Sequence, residues 1–231
     1  MTGHRLRRLL GRLAAAHGGV AAVEFAIVLP FLLGVGLMGL EVANRAIVQM
    51  KVSQLAAQIA DNASRIGDTS TLQDRKIYES DLNDLLRGAE LQGGSGLDLF
   101  EHGRVIISSL EVVPGTEDRQ YIHWQRCLGQ KNHLSTYGLE GDGLVGGLPG
   151  MGPAGEEVWA FPGEAVIFVE IAYDYQSMVG DTFGYSDEAH ATASFTVRDD
   201  RDLSQIYQRG PGSPDPIASC AEYGSTVGST G

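Results

Sequence analysis

VAAVEFAIVLPFLLGVGLMGL, Val20 to Leu40, is the stretch on which the reading of this chain turns. At a rise of 1.5 Å per residue it makes roughly 30 Å of helix, the hydrocarbon thickness of a bilayer. It reads as a transmembrane helix. A cleaved secretory signal is the competing reading, because a basic region also precedes an apolar core in such peptides. No A-x-A site follows, however, and Glu41-Val42-Ala43-Asn44-Arg45-Ala46 continues in helix-compatible residues without a break.

Working outward, the residues ahead of the span carry Arg5, Arg7, Arg8 and Arg12 and no acid, so everything from Val20 onward is more acidic than the net charge of −12. A basic flank resists translocation, which places the N-terminus in the cytoplasm and the acidic remainder outside it. Such a remainder excludes nucleic acid as a partner, since binding phosphates requires clustered Lys and Arg. A chain of 231 residues is long enough for one folded domain with its own core. Cys127 and Cys220 are the only cysteines and lack the spacing of a zinc site. In an oxidising compartment they are expected to form one bridge, the alternative being two free thiols.

Two residues are out of place in a passive anchor. Glu24 puts a charge in the bilayer at a cost of roughly 2.5–3.5 kcal/mol, unless it stays near the headgroups or protonates. Pro30 removes a helical hydrogen bond and tends to kink the helix. Gly18-Gly19 precedes Val20-Ala21-Ala22-Val23-Glu24-Phe25, which sets an acid five residues after a glycine at the cytoplasmic edge of the span. That arrangement resembles the processing site of type IV pilins. The resemblance implies cleavage by a membrane-embedded peptidase between Gly19 and Val20, and pairing of Glu24 with the new amino terminus of a neighbouring subunit. In hydrocarbon, each of those charges offsets the other's cost.

The block Val23-Glu24-Phe25-Ala26-Ile27-Val28-Leu29-Pro30, followed by Glu41 and an Ala-rich helix, narrows the match. Over residues 19–65 the chain resembles the TadE/TadG-like family of the tight-adherence (Flp) pilus system. One departure is Val42, where the family often has an aromatic after its second acid. The resemblance implies a docking role for Glu24, Phe25 and Pro30. It also implies other pilus-system subunits, inner-membrane assembly proteins and a prepilin peptidase as partners.

Beyond the span, Val48, Val52, Leu55, Ile59, Ala63 and Ile66 recur at helical spacing. They predict that the membrane helix continues as one rod of roughly 70 Å, the alternative being a separate helix joined by a frayed turn. A second helix is expected around Leu72 to Leu86, capped from Asp68-Thr69-Ser70-Thr71. Strands follow at Arg104–Val113, Gln120–Leu128, Ala165–Tyr175 and Ala189–Val197. The pattern puts Ile106, Leu110 and Val112 on one face of the first, and Ile122, Trp124 and Arg126 together on the second. Alternation implies an antiparallel sheet with one buried and one solvated face, hence an α+β fold. The glycine-rich run 138–163 reads as an exposed, mobile loop. The expected organisation is a leader over 1–19, the span over 20–40, an extracytoplasmic domain over 41–209 and a flexible tail over 210–231, held only at Cys220.

No nucleophile elbow, phosphate loop, HExxH or CxxC occurs in the sequence. Asp199, Asp200 and Asp202 read as a solvated turn in preference to a cation site. Neither a catalytic residue, nor a metal, nor a cofactor is expected. The reading that results is a non-enzymatic, single-pass subunit of the bacterial inner membrane that helps assemble or anchor a pilus. An uncleaved membrane-anchored binding module or adhesin is the alternative.

Overall fold

The computed structural model describes residues 18–68, 74–179, 188–198, 200–210 and 212–227. The four leader arginines, the expected caps Thr69-Ser70-Thr71 and Asp199 lie outside the described residues. Helix α1, Gly18–Ala63, runs unbroken for 46 residues with Pro30 inside it. The continuous rod, and not the jointed alternative, is therefore what forms. Its first half, through Leu40, is apolar and almost wholly exposed. Along the second half Val52, Leu55, Ala56, Ile59, Ala60 and Ala63 are buried.

Helix α2 spans Glu79–Gly93, later than the expected Leu72 to Leu86. The displacement has a backbone cause. Residues 75–78 lead into the helix and, with Glu79, pair with the 200–207 segment, through Arg75 N–H to the Asp200 carbonyl, Tyr207 N–H to the Ile77 carbonyl and Glu79 N–H to the Tyr207 carbonyl. Those bonds occupy the groups a helix would need. The helix starts only where Asp81 can accept from Tyr78 N–H, and Leu82, Leu86 and Ala89 form its buried stripe. A short helix, α3 (Leu99–His102), leads into the sheet.

Strands β1 (Gly103–Val112), β2 (Gln120–Leu128), β3 (Ala165–Asp174) and β4 (Glu188–Thr196) form one antiparallel sheet in the order β2-β1-β3-β4. With the helices this is the α+β fold that the sequence pattern implies. Helix α1 lies across β3 and β4 and against α2. The core between them holds Val105, Ile107, Trp124, Ile167, Val169, Ile171, Ala189 and Ala191, together with the buried stripes of the two helices.

Two expectations about the sheet are corrected. The register skips a residue between β1 and β2, Ser109 facing Trp124 but Leu110 facing Ile122, so His123 is an extra residue in β2. Such a bulge reverses the alternation beyond it. Trp124 consequently packs in the helix-side core and Ile122 in a second cluster, on opposite faces. Nor is the far face of the sheet solvated. Leu110, Ile122, Val166 and Phe168 are covered there by Leu148, Met151, Val158 and Ala160 of the glycine-rich run. That segment is a lid of irregular backbone, and its glycines permit close approach. Gly143 has φ +87°, and a Cβ there would come within 2.4 Å of the Gln120 carbonyl oxygen.

The tail is held by more than Cys220. Cys127 N–H donates to the Ala218 carbonyl and Gly129 N–H to that of Gly224, so residues 218–224 cover the outer edge of β2, where bare backbone would otherwise invite pairing.

Met151 is 0% exposed in the far-face cluster. Replacing it with Ala should destabilise the domain by about 2–5 kcal/mol and open the glycine-rich run to proteolysis. Chemical denaturation and limited proteolysis of the full chain in detergent check both effects.

Candidate functional site

Gly19 and Val20 lie in the first turn of α1, and both are exposed, as are Glu24, Phe25 and Pro30. A Cβ added at Gly19 would meet nothing within 4 Å, so the chain's own packing does not require glycine there. Phe25 is 60% exposed. Pro30 has no N–H for the carbonyl of Ala26, one turn back. The five residues thus share one end of an apolar helix that the described residues leave uncovered.

Glu41, at the other end of the apolar stretch, behaves differently. The sequence suggests an acid solvated beyond the membrane, but it is 6% exposed. The Tyr175 hydroxyl donates to its Oε1 at 2.7 Å, and the Met178 and Val179 amides donate to its Oε2 at 3.1 and 3.2 Å. Tyr175 also accepts from Asn44 Nδ2 at 2.8 Å. The Tyr175 bond holds the Glu41 carboxyl below the usual carboxylate range; burial opposes it, and Ser177, Val179 and Met178 assist. Residues 175–179, just past β3, are thereby tied to the rod where its exposed half meets its packed half. The side chain that makes this junction is separated by 134 residues from its partner, a pairing no local pattern carries.

Cys127 and Cys220 are bonded to one another, with Cα atoms 4.7 Å apart. Neither is a thiolate nucleophile. Beside them Arg104 is fully buried and donates to the carbonyls of Gly129, Glu222 and Cys220 at 2.8–3.0 Å, with the Tyr223 ring 4.0 Å from its guanidinium carbon. Burial lowers the Arg104 pKa from its ordinary value, and Tyr223 works against that. Of the acidic cluster, Asp202 bonds Ser204 and Tyr207 within its own turn.

On the far face of the sheet, His133, Glu170 and His190 converge, each offering a ligand atom within 4.8 Å of the others. Glu170 sits mid-strand in β3. His190 lies on β4, whose register pairs it with Ala172, and His133 follows β2. Both Nε2 atoms are 3.0 Å from Glu170 Oε1, while Thr136 contributes its N–H and Oγ1. Burial pushes the Glu170 carboxyl up, but the bonds from His190, His133, Thr136 and Ser135 outweigh it and hold it at about 2. The Glu170 bond raises His190, against the effect of its burial. Sequence reasoning passed over all three residues. The only available signal was polar side chains on one face of each strand, and the register that makes them neighbours is not local.

Residues 19–61 match the family model described as TadE-like protein. The matched segment lies within α1 and covers its exposed half and nearly all of its packed half. No curated protein and no solved structure matches the chain. The resemblance carried by Val23 to Pro30 and by the Ala-rich continuation is thus found independently, over the rod and not over the sheet.

If Glu41 ties residues 175–179 to the rod, Glu41→Leu should speed hydrogen exchange at the Met178 and Val179 amides while leaving that of β1 and β3 unchanged. Tyr175→Phe should give a smaller effect, since the two backbone donors remain.

Proposed function

We propose that this chain is a non-enzymatic, membrane-anchored pilin-like subunit that serves the assembly or anchoring of a tight-adherence (Flp) pilus. The observation that carries this reading is Glu24. It stands five residues beyond Gly19 in the TadE-like segment, on an apolar helix whose surface is left bare along the same length over which a bilayer or neighbouring helices would cover it. A helix that only anchors gains nothing from an acid there, which costs roughly 2.5–3.5 kcal/mol in the middle of a bilayer.

The physical roles follow from that premise. The arginine-bearing leader stays in the cytoplasm and the acidic domain lies on the other side of the inner membrane. A prepilin peptidase cuts after Gly19, where the absence of a side chain allows close approach to the backbone. The new amino group of one subunit then pairs with Glu24 of another, and Phe25 and the backbone at Pro30 shape the contact. Because the rod's far half is packed into its own domain, docking of the membrane half sets the position of the domain as well.

N-terminal sequencing of protein extracted from the envelope should start at Val20. A retained Met1 would favour the uncleaved anchor or adhesin, and a start beyond Leu40 would favour a secretory signal.

Glu24→Gln should leave membrane insertion unchanged or slightly easier, yet weaken co-purification with other pilus components and reduce surface attachment. Lys51→Gln, an exposed charge change on the same helix, is the control. Glu41 does not serve for this, since it holds the domain to the rod. Loss of attachment in both variants, or in neither, would overturn the docking role.

A further inference from the structure

We propose that His133, Glu170 and His190 bind a divalent transition-metal ion, zinc being the ion whose ligand preferences they meet. The inference does not rest on the pilus reading. It starts from the crowding of one oxygen. Glu170 Oε1 faces His133 Nε2 at 3.0 Å, His190 Nε2 at 3.0 Å and Thr136 Oγ1 at 2.8 Å, and shares the Thr136 N–H with Oε2 at 3.2 Å from each. A carboxylate oxygen has two lone pairs, so three side-chain donors and a share of the Thr136 N–H exceed the capacity of Oε1. With a cation among them, the two imidazoles turn their Nε2 lone pairs to the metal. Oε1 then keeps the metal and the threonine.

The spacing fits this exchange. Bonds of about 2.0–2.1 Å in a tetrahedral centre set neighbouring ligand atoms roughly 3.0–3.5 Å apart. Both nitrogen-to-oxygen distances already lie there, and the widest separation in the group, at most 4.8 Å, has to close by no more than about 1.5 Å. Small rotations of the two imidazoles achieve that. The histidines, 17% and 35% exposed at their side chains, form the solvent side of the site, and Glu170, 1% exposed, forms its floor. The ion has a way in and a fourth position for water. Thr136 orients the carboxylate through its hydroxyl and N–H, the kind of hydrogen-bond support that metal ligands have.

Donor chemistry selects the class of ion. Two imidazoles and one carboxylate suit zinc and its first-row neighbours, whereas magnesium and calcium take oxygen ligands. The ion would join three separate pieces of chain: β3, the edge strand β4 and the segment after β2. It would also brace the strand on which α1 rests, since Gln49 Nε2 donates to the His190 carbonyl at 2.9 Å.

The test uses the full chain, purified in detergent without a polyhistidine tag, stripped with EDTA and titrated with ZnCl2 at pH 7.5 by calorimetry. One ion per chain is expected, with visible absorption on substitution by Co2+ and a higher melting temperature on adding Zn2+. His133→Asn and His190→Asn should each weaken binding by at least about tenfold and abolish the thermal shift. His102→Asn and His123→Asn should not. Because Glu170 is buried, the partly exposed histidines supply the decisive variants, their folding checked by circular dichroism. Absence of stoichiometric binding, or equal affinity in the His133→Asn/His190→Asn double variant, would overturn the proposal and leave a hydrogen-bonded carboxylate.

Discussion

The second half of α1 is pressed against β3 and β4, and the rest of the molecule is arranged around that contact. Val52, Leu55 and Ile59 share one core cluster with Ala189, Ala191, Ala193 and Phe195 of β4. Small side chains on β4 let the helix lie close to the sheet, where dispersion contacts are densest. The same helix is bare from Gly19 to Leu40 apart from partial cover at Leu29 and Gly34. One rod therefore has one half packed into the domain and another, apolar half long enough to cross a membrane. Because it runs through without a break, what holds one half orients the other.

Three glutamates show how environment divides the work of a single residue type. Glu24 is exposed on an apolar helix, so its compensation has to come from the membrane interface or from another molecule. Glu41 receives a hydroxyl and two amides from its own domain and is spent on structure. Glu170 lies deeper, with donors from two other segments of chain, the stretch 133–136 and strand β4. A carboxylate taken out of water needs compensation in each case. What differs is where the compensation comes from: outside the described residues for Glu24, and from the domain itself for Glu41 and Glu170.

The side of the sheet away from the helices is built without regular structure. The glycine-rich run covers Val166 and Phe168, and the tail crosses the β2 edge where the Cys127–Cys220 bond and Arg104 fasten it. A bridge spanning 93 residues removes enough freedom from the unfolded chain to stabilise the fold by on the order of 4 kcal/mol on the chain-entropy account. Arg104 loses hydration in the same place, and three carbonyls and the Tyr223 ring offset that loss.

Some of this was present in the sequence because it is local. A long apolar run specifies its helix through backbone bonds four residues apart, and the 3.6-residue stripe from Val48 to Ile66 specifies which side of that helix is buried. Alternation located all four strands within a residue or two, and the Glu24-to-Pro30 block was legible as residue chemistry. Only the tertiary structure decided the rest. The bulge at His123 separates Ile122 from Trp124, and pairing with residues 200–207 delays α2. The lid over the far face rests on glycine contacts with distant backbone. The Glu41 junction and the His133–Glu170–His190 cluster arise from strand register and chain crossings. Each joins residues remote in sequence, and periodicity says which face a side chain takes but not what comes to meet it.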